Sequence, residues 1–173
     1  MTDRAAPGAV EFARPVDISR LPAGKAVYEL EATPAERDAL ARRFDLLALD
    51  RLEAEVRLER LAGGLLRLSA ALRADVVQAC VITLEPVRDR IDESFTVLYR
   101  AGAESGETAV VLSGASELVE PLPGDILDIG EAVAQQLSLT LDPYPRSPGA
   151  VAAAPEEGRI SPFAALAKWK KNN

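Results

Sequence analysis

"LEAEVRLERL", Leu52 to Leu61, decides the fold. Leu52, Ala54, Val56 and Leu58 fall on one side and Glu53, Glu55, Arg57 and Glu59 on the other. Successive strand side chains point to opposite faces, so this alternation predicts a half-buried strand. Glu and Arg favour helices, but on a helix these charges would spread round the whole circumference. "AGG", Ala62 to Gly64, then makes a tight turn. Beyond it Leu66, Leu68, Ala70, Leu72, Ala74 and Val76 oppose Arg67, Ser69, Arg73 and Asp75. After a second turn near Pro86, "RIDESFTVLYR" sets Ile91, Phe95, Val97 and Tyr99 on one face. Three alternating runs joined by turns predict an antiparallel meander with one wet face.

Upstream, residues 1–10 read as a loose leader and "EFARPVDISRLPAG" as a short edge strand and turn, because of Pro15 and Pro22. "KAVYELEA" is a strand with Ala26, Tyr28 and Leu30 inward. "TPAERDALARRF" starts a helix: Thr33 caps it, Pro34 suits the first position, and Glu36 completes a capping box. Leu40 and Phe44, one turn apart, face the core.

Downstream, "AGAESGETAVVLSGAS" reads as a loop around a short strand. Asp128 caps a second helix whose stripe is Ile129, Val133, Leu137 and Leu141. "DPYPRSPGAVAAAPEEG" breaks regular structure and predicts an extended, mobile segment. "SPFAALAKWKKNN" predicts a short helix capped by Ser161. The expected fold is therefore α+β: an antiparallel β-meander curled into a partly closed, barrel-like sheet, two packed helices, and a C-terminal helix on a Pro-rich linker. The expected divisions are a leader at 1–10, a core domain at 11–142, a linker at 143–160 and a basic tail at 161–173.

Composition narrows the function. The chain has one cysteine, Cys80, and no histidine. That excludes an intramolecular disulfide, a Cys–His nucleophile and a four-ligand zinc site within one protomer. The N-terminus has no apolar signal core, and no apolar run approaches the roughly 20 residues of a membrane helix. The expected location is the cytoplasm, with no membrane partner. Twenty Lys and Arg against 27 Asp and Glu give a net charge of −7, which argues against a whole surface that coats nucleic acid. From Arg159 to Asn173, however, four cations stand without an acid.

Few stretches carry chemistry. Cys80 continues the apolar face of Leu66 to Val76 and is read as a small core hydrophobe. "GAESGET", Gly102 to Thr108, lacks the lysine of a phosphate loop and has Glu107 in its place. Asp125, Asp128 and Glu131 could form a carboxylate row for a metal, but helix entry explains Asp128 and Glu131 first. The tail's Lys168, Trp169, Lys170 and Lys171 support two readings equally. One is RNA contact, through phosphate neutralisation and stacking. The other is dipole complementation, with Trp169 docked on the core.

The whole resembles the YceD-like family, large ribosomal RNA subunit accumulation proteins. "QACVITLEPV" is similar to the family's cysteine-centred turn, with a leucine and a proline after the cysteine. "DILDIGEAVAQQLSLTLDPYPRSPG" is similar to its helix and proline-rich exit, and "SPFAALAKWKK" to its C-terminal segment. "LDPYPR" resembles the alphaproteobacterial branch. Many members carry a second cysteine three positions after the first, and more after the helix; here those places hold Thr83 and "DPYPRSPG". A metal role therefore does not carry over, and no cofactor is implied. The resemblance implies a non-enzymatic ribosome biogenesis factor acting on large-subunit ribosomal RNA or a pre-ribosomal particle, with ribosomal proteins as further partners. Tyr144, Arg146, Arg159, Lys168, Trp169, Lys170 and Lys171 are the expected RNA contacts. The alternative is an adaptor that holds a basic ribosomal protein on the acidic strand face without touching RNA.

Overall fold

A computed structural model describes residues 11–22, 24–102 and 119–151. Strands are β1 (Pro15–Asp17), β2 (Lys25–Glu31), β3 (Ala48–Arg60), β4 (Leu65–Ala79), β5 (Pro86–Ala101), β6 (Val119–Leu122) and β7 (Ile126–Asp128). Helices are α1 (Pro34–Arg43) and α2 (Ile129–Thr140). The main sheet has the order β2-β3-β4-β5-β6, and β1 and β7 form a separate antiparallel pair.

The alternation of 52–61 is realised in β3: Leu52, Ala54, Val56 and Leu58 are buried. The register Val56↔Ala70 and Ala70↔Phe95 carries that face across β4 and β5. α1 lies on β3 and α2 on β4. Leu40, Ile129, Val133 and Leu137 fill the space between helices and sheet. Phe95 and Val97 stay half-buried, because the helices lie over the β3–β4 half of the sheet. Burying these side chains in the water-free layer is the main stabilising term, at about 1.5–3 kcal/mol for each large one.

The helix starts are built as the residues predict. The Thr33 hydroxyl accepts the Glu36 N–H at 3.3 Å, and the Glu36 carboxylate accepts the Thr33 N–H at 2.8 Å. Asp128 Oδ1 accepts from the N–H groups of Gly130 and Glu131. Arg14 joins the two. Its guanidinium forks onto Glu36 at 2.7 and 3.0 Å, and its own N–H reaches Asp128 at 2.8 Å. Phe12, fully buried, sits beneath the Arg14 guanidinium. A Cβ at Gly130 would stand 2.0 Å from the Phe12 carbonyl oxygen, so only glycine fits there.

The sheet is not the partly closed barrel expected. Among the described residues β2 and β6 are its two free edges. Closure would require those edges to pair in a matched stagger. β6 is four residues long and reaches only Leu98–Ala101, while α1 and α2 occupy the apolar face that a barrel would turn inward. β6 also runs parallel to β5, so the sheet is mixed rather than a pure meander. Pro121 disguises β6 in sequence and is tolerated there because the strand is at an edge. Of the predicted loop at 101–116, all but Ala101 and Gly102 lies outside the described residues, as do the leader at 1–10 and the helix at 161–173.

Candidate functional site

The β4–β5 hairpin ends in the loop Cys80–Glu85. The Cys80 N–H donates to Glu85 O at 2.8 Å and the Leu84 N–H to Cys80 O at 2.9 Å. Leu84 takes φ +62°, a left-handed conformation usually left to Gly or Asn, yet its side chain is 75% exposed. The loop folds inward around the sulfur. N–H groups of Ile82 and Thr83 point at Cys80 Sγ from 3.5 and 3.4 Å.

The proline-rich segment after α2 closes the arrangement from the other side. Ser147 brings its N–H to 3.3 Å and its hydroxyl to 3.5 Å from Cys80 Sγ. Val81 N–H donates to Pro145 O at 2.9 Å, and the Gln78 amide donates to Asp142 O at 2.9 Å. Asp142 Oδ1 accepts the Tyr144 N–H at 2.8 Å, which starts the turn. The first part of the expected mobile linker is thus a clamp on the Cys80 turn. Sequence reasoning missed it because prolines remove donors without saying where the remaining N–H groups go.

Cys80 is fully buried, as its place on the apolar face predicts. It is more than a packing residue. The Thr83 side chain, followed by the Ser147 N–H, favours the thiolate and outweighs burial, lowering the thiol to about 6. Sealed from solvent, this sulfur acts as an acceptor that pins two segments together. The Thr83 and Ser147 hydroxyls lie 3.3 Å apart beside it. Among the described residues no three of His, Cys, Asp or Glu are grouped to hold a metal ion.

A family model described as "Large ribosomal RNA subunit accumulation protein YceD" matches residues 68–170, well over half of the chain. The chain belongs to the YceD family. The match runs from β4 through the Cys80 turn, α2 and the clamp into the basic tail. Searches of curated proteins and of solved structures find no match. The places that the resemblance gives to further family cysteines, Thr83 and the 142–149 stretch, converge on Cys80, where hydroxyls stand instead of thiols.

Of the expected RNA contacts, Tyr144 and Arg146 lie on the clamp. Tyr144 is 69% exposed and Arg146 is exposed, with Pro145 buried between them. Arg159, Lys168, Trp169, Lys170 and Lys171 lie outside the described residues. The wet face of the sheet is less acidic than the sequence implies. Arg51 pairs with Glu53, Arg57 with Glu55, Arg67 with Glu59 and Arg73 with Asp92. A groove of about 500 Å3 crosses this face. Its lining includes the small side chains of Ser69, Ala71, Ser94 and Thr96, together with Glu29, Glu55 and Arg73. Glu29 stands directly opposite Glu55, a like-charge pair. No described helix is long and apolar enough to cross a membrane.

Proposed function

We propose that this protein is a non-catalytic, cytoplasmic factor that supports accumulation of large-subunit ribosomal RNA by holding precursor RNA or a nascent subunit. The clamp carries this reading. It fixes Tyr144 and Arg146 outward on a segment ordered before any partner arrives, and in the sequence the rest of the linker and the basic tail follow. An exposed aromatic ring can stack on an unpaired base, and a guanidinium can take a phosphate. Ordering in advance lowers the entropic cost of contact. The family name supports the pathway.

The sheet groove supports a second reading, in which the partner is a basic ribosomal protein. Glu29 stands opposite Glu55 on the groove wall; Arg57 already pairs with Glu55, so Glu29 is the carboxylate that a basic partner would engage first.

Ultraviolet crosslinking in cells, followed by sequencing of attached RNA, separates the two. Large-subunit RNA should be recovered with the full chain. It should fall severalfold with Tyr144→Ala/Arg146→Ala and further with a chain ending at Gly158. Full recovery from both variants would sink the clamp-and-tail reading. Ribosomal proteins without RNA, lost on Glu29→Lys/Glu55→Lys, would establish the second.

A further inference from the structure

A second groove, of about 350 Å3, lies between the C-terminal ends of α1 and α2. Its walls are mixed: Phe44, Leu141, Pro143 and Pro145 are apolar, and Gln78 and Ser138 are polar. Its only charged lining residues are Asp45 and Asp142. Both helices end here, with Phe44 capping α1 and Leu141 capping α2. Each helix C-terminus carries about half a negative charge in its unpaired carbonyls. An aspartate at such an end is the wrong sign for the dipole, and α2 has no basic residue in its last turn to offset it. Arg43 lies over the Phe44 ring, but its guanidinium is held by Glu11 and Glu131. α1 carries Arg42 and Arg43 in its last turn, but neither lines the groove, which combines partly apolar walls with two aspartates and no cation. That is the complement of a lysine, whose methylene stem lies on apolar surface while its ammonium seeks carboxylates and carbonyls.

The chain supplies such a group. It has four lysines, Lys25, Lys168, Lys170 and Lys171, and three of them fall within four residues at the C-terminus. Pro145, on the groove wall, precedes the last described residue, Val151, by six positions. Sixteen residues then lead to Lys168. A segment of that length spans up to about 55 Å, so contour length does not limit a return to the groove. Tethering raises the local concentration of the lysines towards the millimolar range.

We propose that the groove between the two helix ends seats the chain's own basic segment Lys168–Lys171. The seating deepens the functional reading, on which its consequence for RNA rests. Lysines held in the groove are withheld from phosphate, and RNA competes them out.

The test is carbodiimide crosslinking of the full chain at low concentration, with peptide mapping of the monomer band. The reagent joins lysine to carboxylate, and Lys25 beside Glu59, at 3.9 Å, serves as the internal control. Lys168, Lys170 or Lys171 should couple to Asp45 or Asp142, and the yield should fall severalfold in high salt. The double variant Asp45→Asn/Asp142→Asn should abolish these links and keep the Lys25–Glu59 link. Asn tolerates the φ +54° of residue 45 and can still accept the Tyr144 N–H, so the variant folds. Tail lysines that couple mainly to Glu29, Glu53 or Glu55, or only between two copies, would overturn the proposal. RNA affinity of the double variant separates it from the functional reading. A severalfold gain, absent from chains ending at Gly158, supports both. Groove links without any change in RNA affinity leave the seating standing and remove the tail from RNA contact.

Discussion

Two closures hold this molecule together, and they use different chemistry. At one, the N-terminal segment around Arg14 locks α1 to α2 through a two-pronged guanidinium–carboxylate contact and a fully buried Phe12. At the other, the segment after α2 locks onto the Cys80 turn through backbone bonds and four donors shared by one sulfur. The first is charge-assisted and closely packed, the kind of contact that carries stability. The second gathers backbone bonds and N–H donors round one sulfur in a short loop with few packed side chains, so it can fix side-chain direction while contributing less to global stability. Candidate contacts with a partner sit on the second.

That contrast can be broken, and Gly130→Ala should do so with the largest effect. Its Cβ meets the Phe12 carbonyl, so the N-terminal segment must move. The expected loss is about 3 kcal/mol or more in urea unfolding, by the scale of overpacked cores. A loss within 0.5 kcal/mol would show the Phe12 segment to be dispensable.

Glu36→Gln comes next, at about 1 kcal/mol once solvent screening of this partly exposed pair is allowed for. Arg14 holds the Glu36 carboxyl down, from 4.5 to about 2. A group lowered in the folded state stabilises above its unfolded value and loses that contribution as pH falls through the folded one. The wild-type chain should therefore lose this increment between about pH 4.5 and 2, and the variant should not. Parallel acid-unfolding curves would contradict the assignment.

Cys80→Ala should cost a similar or smaller amount, about 1 kcal/mol. Its signature is local: faster amide exchange at Val81 and Ser147, with the α1–α2 closure unchanged. Global unfolding at the same rate as local opening would make the clamp part of the core. The smallest effect belongs to Leu84→Gly. Relief of the left-handed strain, about 1 kcal/mol, is partly offset by glycine's extra freedom when unfolded, so stability should change by less than about 0.5 kcal/mol.

Much of the sheet-and-helix half was legible because each element there has a periodic or capping signal. Leu52–Leu58 alternate, Thr33 and Glu36 reciprocate, and Asp128 precedes an apolar stripe. The resemblance through "QACVITLEPV" and "DPYPRSPG" pointed to the family that the match supports. Missing were the contacts between distant segments. β6 has four residues and a proline, too few to show a period. Openness of the sheet depends on what its edges meet, and no local pattern records that. Asp142 looked like one more breaker in a proline run, and its partner Gln78 lies 64 positions away.

The Arg14–Asp128 bond joins residues 114 positions apart. A chain emerging from the ribosome at about 5–20 residues per second therefore makes its first strand wait roughly 6–23 s for β7 to appear. The β2–β3–β4–β5 hairpins can form during that interval, each from neighbours already made. Phe12 and Arg14 travel alongside them without a seat. During that interval α1 can cover β3, while the β4 part of the apolar face waits for α2, and Phe12 and Arg14 find their seat only when α2 arrives.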